Sequence, residues 1–288
     1  MGAFSSLYSL SAEQKQLLKS KQIYGEHTPD KWLQLLTPVA RYDVEGDKAR
    51  GWGCGLSIAG LIISIISIPL MSIVIGFVTL PIALLMLIGG FIVYYFLKGY
   101  DLPGQNLSKT VIPMLMILRE EMEDNEKLKL RLDLRGFETA EKKTGESKPY
   151  QKGAYHNVID YYYRDHWMEG QATLGDGTRI RWSLYDLARN SKKTKRTPRG
   201  KTKTKTKTKN RSYIAMQIGM KNEKYALQDG LKQKGQEGKI EIKDSGKRSW
   251  VTISRTIKHP IGESFGPEHF VNAIAVAYKK ANPTGGKQ

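Results

Sequence analysis

The segment RDHWMEG, Arg164 to Gly170, gathers Asp165, His166 and Glu169 within five residues, with His156 ten residues ahead of His166. An imidazole beside carboxylates is the material of general acid–base catalysis. Asp160, Asp165, His166 and Asp186 are the residues from which such a site would be assembled. Strand geometry works against it, because neighbouring residues on a strand point to opposite faces and Asp165 and His166 would part company. The five His form no H-E-x-x-H or H-x-H pair, and the lone Cys54 leaves no CxxC spacing. No phosphate-binding Gly-rich loop of the Walker pattern occurs. No cofactor and no metal site is expected, and an enzyme of unknown reaction stays a lesser alternative.

The second source of chemistry is charge. Residues 98–288 hold 39 Lys or Arg against 22 Asp or Glu, whereas residues 1–97 hold seven against six. Residues 191–211 carry eleven bases and no acid, seven of the bases in the tract TPRGKTKTKTKTKNR that begins at Thr197. Lys and Thr alternate there without a phase break into the apolar strand SYIAMQIGM. Thr favours strands, so the tract reads as the extension of that strand. A three-residue turn at Pro198, Arg199 and Gly200 makes opposed residues sum to 398. Ile180 then faces Ile218, Trp182 faces Met216, and Leu184 faces Ile214. A slip of one residue would swap the faces and lose all three pairs. The same register puts Arg189, Lys193, Lys195, Lys201, Lys203, Lys205, Lys207 and Lys209 on one face as a polyanion-binding set. Like charges opposite one another destabilise a two-stranded ribbon, so a polyanion would order it.

The elements that must carry this face follow from the apolar pattern. Gly51 through Leu97 is a run of 47 residues without Asp, Glu, Lys, Arg or His. About 20 apolar residues cross a bilayer as a helix, so the run is expected to cross twice. Helix one is placed from Cys54 to Val74 and helix two from Pro81 to Leu97, with IGFVTLP as the turn. Ala59 and Gly60 are expected to pack against Gly89 and Gly90 at matched depth. Lys and Arg flank the hairpin while its turn has none, which predicts a multi-pass membrane protein with both termini cytoplasmic.

Residues 1–50 are expected to form two short helices, one capped by Ser11 and Gln14 and one ending at Pro38. Residues 99–288 are expected to be an α+β domain of mostly antiparallel strands, a partly closed barrel or sandwich bracketed by helices. The basic hairpin 178–220 would protrude from it. LKLRLDLR puts Leu128, Leu130, Leu132 and Leu134 on one face, residues 136–154 read as loop, and Pro267 opens a closing helix.

Together these features predict a membrane-anchored binding or assembly module whose basic ribbon meets acidic lipid headgroups. Membrane lipids are the expected partners, with a protein partner in the membrane as a further one. The alternatives are a membrane-tethered nucleic-acid-binding protein and a structural subunit of a membrane complex. Tyr161, Tyr162, Tyr163, Trp167 and Trp182 lie in strand patterns where core burial is the expectation, which lowers the nucleic-acid reading.

Overall fold

The computed structural model describes residues 2–69, 74–227, 232–235, 238–257 and 265–284. Among these the fold is α+β, with six α-helices and a large antiparallel sheet. The chain divides into two compact units, Met1–Ser20 with Leu35–Leu102, and Lys21–Gln34 with Pro103–Gln288.

The first unit is helical. Helix α1 is Ala3–Ser9 and α2 is Ala12–Ser20. The capping box ahead of α2 forms as expected: the Ser11 amide donates to Gln14 Oε1 at 2.8 Å and the Gln14 amide to Ser11 Oγ at 3.2 Å. Helix α3 runs unbroken over Pro29–Ser67, so Pro38 does not stop it. A mid-helix proline costs about 3 kcal/mol. Burial on both sides of it, at Leu36, Val39 and Tyr42, outweighs that cost. Helix α4 covers Val74–Lys98 and absorbs Pro81, so IGFVTLP is helix rather than turn. Residues 70–73 lie outside the described residues. Both helices are long and apolar enough to cross a membrane.

The earlier start of α4 shifts the expected pairing by about a turn. Gly60 faces the backbone of Ala83 and Leu87, and Gly90 faces Gly53 and Ser57; a Cβ on either would sit within 2.6 Å of those atoms. Gly89 faces open space. Ser57 Oγ donates to Leu87 O at 3.2 Å, and Ser67 and Thr79 share a 2.8 Å hydrogen bond. Small residues thus admit close backbones while hydroxyls bridge them.

The second unit is built on a ten-stranded sheet. Its strands are β1 Gln22–His27, β2 Leu128–Asp133, β3 Lys143–Glu146, β4 Tyr150–Lys152, β5 Tyr155–Thr173, β6 Arg179–Arg196 and β7 Thr202–Lys221. After the short β8 Tyr225–Ala226 come β9 Lys232–Gly235, β10 Gly238–Asp244 and β11 Arg248–Ile257. The order is β1-β2-β5-β6-β7-β11-β10-β9, with β3 and β4 also on β5, and the sheet does not close into a barrel. β8 pairs separately with β12, Asn282–Pro283. Strand β1 and the strands within 136–154 were not expected; their pairing partners lie far along the chain or have little apolar patterning.

One face of this sheet is the core. Leu128, Leu130 and Leu132 are buried on β2 as the alternation requires, beside Ile180, Trp182, Leu184, Ile214, Met216, Ile218, Val251 and Ile253. Helices α5, Ile112–Glu121, and α6, Pro267–Lys279, bury Met114, Leu115, Leu118, Phe270 and Ala277. Trp182 meets Phe270 edge-on at 5.4 Å. Gly170 is required opposite it, since a Cβ there would stand 2.1 Å from the indole.

Candidate functional site

Strands β6 and β7 pair continuously from Arg179↔Gly219 to Arg196↔Thr202. Ile180 faces Ile218, Trp182 faces Met216 and Leu184 faces Ile214, so opposed residues sum to 398. The turn is closed by Gly200 N–H to Thr197 O and Thr197 N–H to Lys201 O, both 2.9 Å. Gly200 sits at φ +76°, the left-handed conformation that glycine adopts without strain. Arg189 opposes Lys209, Lys193 opposes Lys205, and Lys195 opposes Lys203.

The hairpin is not a free two-stranded ribbon. Strand β5 pairs with β6 as far out as Asn157↔Thr194, and β4 pairs with β5 beyond it. The third strand changes the state of the β6 cations. Arg189 lies 3.8 Å from the buried Asp160 carboxylate, which also accepts from Tyr150 Oη at 3.1 Å. Lys193 and Lys195 stand 5.8 and 5.9 Å from the Tyr155 ring, at cation–π range. Lys201, Lys203, Lys205, Lys207 and Lys209 are exposed, and among the described residues none has a carboxylate within ion-pair distance. Arg164 and Arg211 extend the same face; strand parity marks Arg211, whereas Arg164 needs the β5–β6 pairing.

Nearer the core this face carries a ladder of rings. Tyr213 stacks on Tyr185 at 5.0 Å with 1° between planes, and His166 stacks on Tyr185 at 4.9 Å. Trp167 and Trp182 are core residues as expected, but Tyr162 is exposed beside Arg189.

Asp165 and Asp186 stand opposite one another on β5 and β6, but the four residues Asp160, Asp165, His166 and Asp186 do not converge on one site. His166 and Asp160 lie on the cationic face, and Asp165 points to the other. Asp165 is buried 2.6 Å from Lys142 Nζ, which is also 3.1 Å from Asp133. Burial pushes the Asp165 carboxyl up, with Lys142 opposing. For Asp133 burial acts in the same sense, but the Arg135 fork, the Arg135 amide and Lys142 outweigh it and hold the carboxyl at about 2. Asp186 accepts from Ser212 Oγ. The Asp133 and Asp165 carboxylates meet in an ionic joint around Lys142. Lys142 lies in a stretch read as loop, where nothing local signals burial.

No family model, curated protein or solved structure matches this chain. One further group of carboxylates lies in the helical unit. Asp43, Asp47 and Asp101 bring their oxygens within 4.8 Å of one another. Arg50 pairs with Asp47 and Asp101, and the Leu102 amide donates to Asp43 Oδ1 at 3.3 Å. Burial, and then the neighbouring Asp47, push Asp43 up to about 7.

Proposed function

We propose that the protein is a two-span membrane protein, with both termini cytoplasmic, whose sheet unit presents a lysine-rich face to acidic lipid headgroups. The observation that carries this reading is the row of five exposed lysines from Lys201 to Lys209, free of ion pairs among the described residues and held on one face by the 398 register. Each cation near an anionic membrane surface contributes about 1 kcal/mol, and tethering keeps the local lipid concentration high. Exposed Ile58, Ile62, Ile65 and Ile66 on α3, with Leu85 and Ile92 on α4, support contact with lipid tails. The basic residues flanking the apolar run support the orientation.

The aromatic ladder favours lipid over nucleic acid. Single-strand binders offer open ring faces on which bases stack. Here Tyr213, Tyr185 and His166 spend those faces on one another.

Full-length protein in nanodiscs of neutral lipid, or of lipid about one-third acidic, tests the reading. Hydrogen exchange over residues 189–211 slows in acidic discs alone, and about 0.5 M salt reverses the effect. Equal exchange in both discs refutes it. Tight low-salt binding of labelled single-stranded RNA, lost with the β7 lysines, would assign the face to nucleic acid.

A further inference from the structure

We propose that the outer half of β7, Thr202 to Arg211, is an open sheet edge that accepts an acidic, extended peptide of a partner protein as an added strand. On one side this half pairs with β6, from Arg196↔Thr202 to Leu187↔Arg211. On the other side β11 pairs with β7 only as far as Ile257↔Ser212, and among the described residues no strand continues beyond it. Phe265 is buried and accepts a hydrogen bond from the Thr110 hydroxyl. It follows Ile257 by eight residues, too few at about 3.4 Å each for the chain to run out to Thr202 and return.

Which backbone groups face the open side follows from the turn. The Thr197 amide donates to Lys201 O, so the odd-numbered residues of β7 exchange hydrogen bonds with β6 and the even-numbered ones point away from it. Thr202, Thr204, Thr206 and Thr208 therefore direct their N–H and C=O groups outward. The 3.4 Å approach of the Thr194 and Thr204 hydroxyls fits this phase, since side chains lie closest at pairs that exchange no hydrogen bond. Natural edges are commonly blunted by brevity, proline or a bulge. Here ten residues run without proline and without a register shift against β6.

Charge selects the occupant. Lys203, Lys205, Lys207 and Lys209 are exposed on one face, and among the described residues none has a carboxylate within ion-pair distance. A second copy of the chain would set lysine against lysine, which repels. A strand with Asp or Glu at every second position sets a carboxylate beside each lysine instead. On the open side these are the pairs without backbone bonds, at which side chains approach most closely. The intervening residues of the incoming strand face the threonines, where β-branched side chains suit the pleat. Backbone bonds then supply the affinity and the alternating acids the specificity. Lipid contact through the lysine face requires no added strand, and strand addition requires no acidic lipid.

The test is fluorescence anisotropy of a labelled nine-residue peptide of alternating Glu and Thr, titrated with the full-length protein in nanodiscs of neutral lipid. Saturable binding is expected, about ten-fold tighter than for a peptide of the same composition with Glu and Thr in separate blocks. Thr206→Pro removes an outward N–H that the fold does not use, keeps every lysine, and should weaken binding about ten-fold. A peptide N-methylated at alternate residues removes the same bonds without altering the protein and should bind as weakly as the block peptide. Replacing Lys203, Lys205, Lys207 and Lys209 by Gln should abolish binding. Circular dichroism establishes that each variant is folded. Equal affinity for the alternating, block and N-methylated peptides overturns the proposal, because the edge is then a patch of charge. Unchanged affinity of a folded Thr206→Pro variant overturns it as well, as does absence of saturable binding by the folded chain. A dimer of the full-length chain that Thr206→Pro splits would overturn the assignment to a partner protein and give the edge to a second copy.

Discussion

The inner and outer halves of the β6–β7 hairpin share one alternation and one register but are held by different forces. In the inner half, Ile180, Trp182 and Leu184 oppose Ile218, Met216 and Ile214 on a face covered by α6. In the outer half, Arg189, Lys193 and Lys195 oppose Lys209, Lys205 and Lys203. A ribbon of like charges gains nothing from its own cross-strand pairs. It keeps its register because the inner half has fixed it, and a strand cannot change phase without a bulge. The outer cations are therefore placed by apolar residues well back along the same strands. Strand β5 completes the support by flanking β6 almost to the turn.

The largest effect should come from the inner half. Trp182→Ala removes the indole from Phe270 and Gly170, and about 3–5 kcal/mol of stability should be lost in denaturant unfolding. Exchange protection should then fall in both halves. An outer half that stayed protected would break the dependence described above.

The ionic joint around Lys142 should show in the acid limb. Asp133 has a folded pKa of about 2, below its ordinary value, so its contribution is complete above about pH 4 and is lost as pH falls toward 2. That contribution is about 2 kcal/mol, and an Asp133→Asn variant should unfold with a flatter acid limb. An unchanged limb would mean that other carboxylates set it.

Two smaller effects belong to the outer half. Gly200→Val forces a β-branched residue into φ +76° and should cost about 1 kcal/mol, with faster exchange confined to residues near the turn. Replacing Lys203, Lys205, Lys207 and Lys209 by Gln should change stability by less than about 1 kcal/mol, toward greater stability, because repulsion is relieved. The same variant should lose the protection that acidic nanodiscs give. A large loss of stability instead would show that these lysines support the fold.

Local pattern made much of this legible. The phase of Lys201 through Ile218 is a count of residues, and the turn chemistry of Pro198 to Gly200 needs no tertiary information. The capping box at Ser11 and the leucine face of β2 were equally local. The misses were all non-local. Pro38 and Pro81 read as helix ends, and only burial around the first and helix packing around the second explain their place inside helices. Lys142 gave no sign that it would lie between two buried aspartates. Alternation alone separates Asp165 from His166, but it does not name their partners.

By itself the sequence determined where the apolar runs lie, which residues share a strand face, and that eight cations fall on one of them. Periodicity of two along a strand is a property of the backbone, so it can be read without knowing the neighbours. Only the tertiary structure decided which of those cations stay free. Arg189, Lys193 and Lys195 are engaged because β5, joined to β6 by a turn at the opposite end, brings Asp160 and Tyr155 alongside them. That choice depends on strand order, which is set by the burial of a whole sheet face and is written in no single segment.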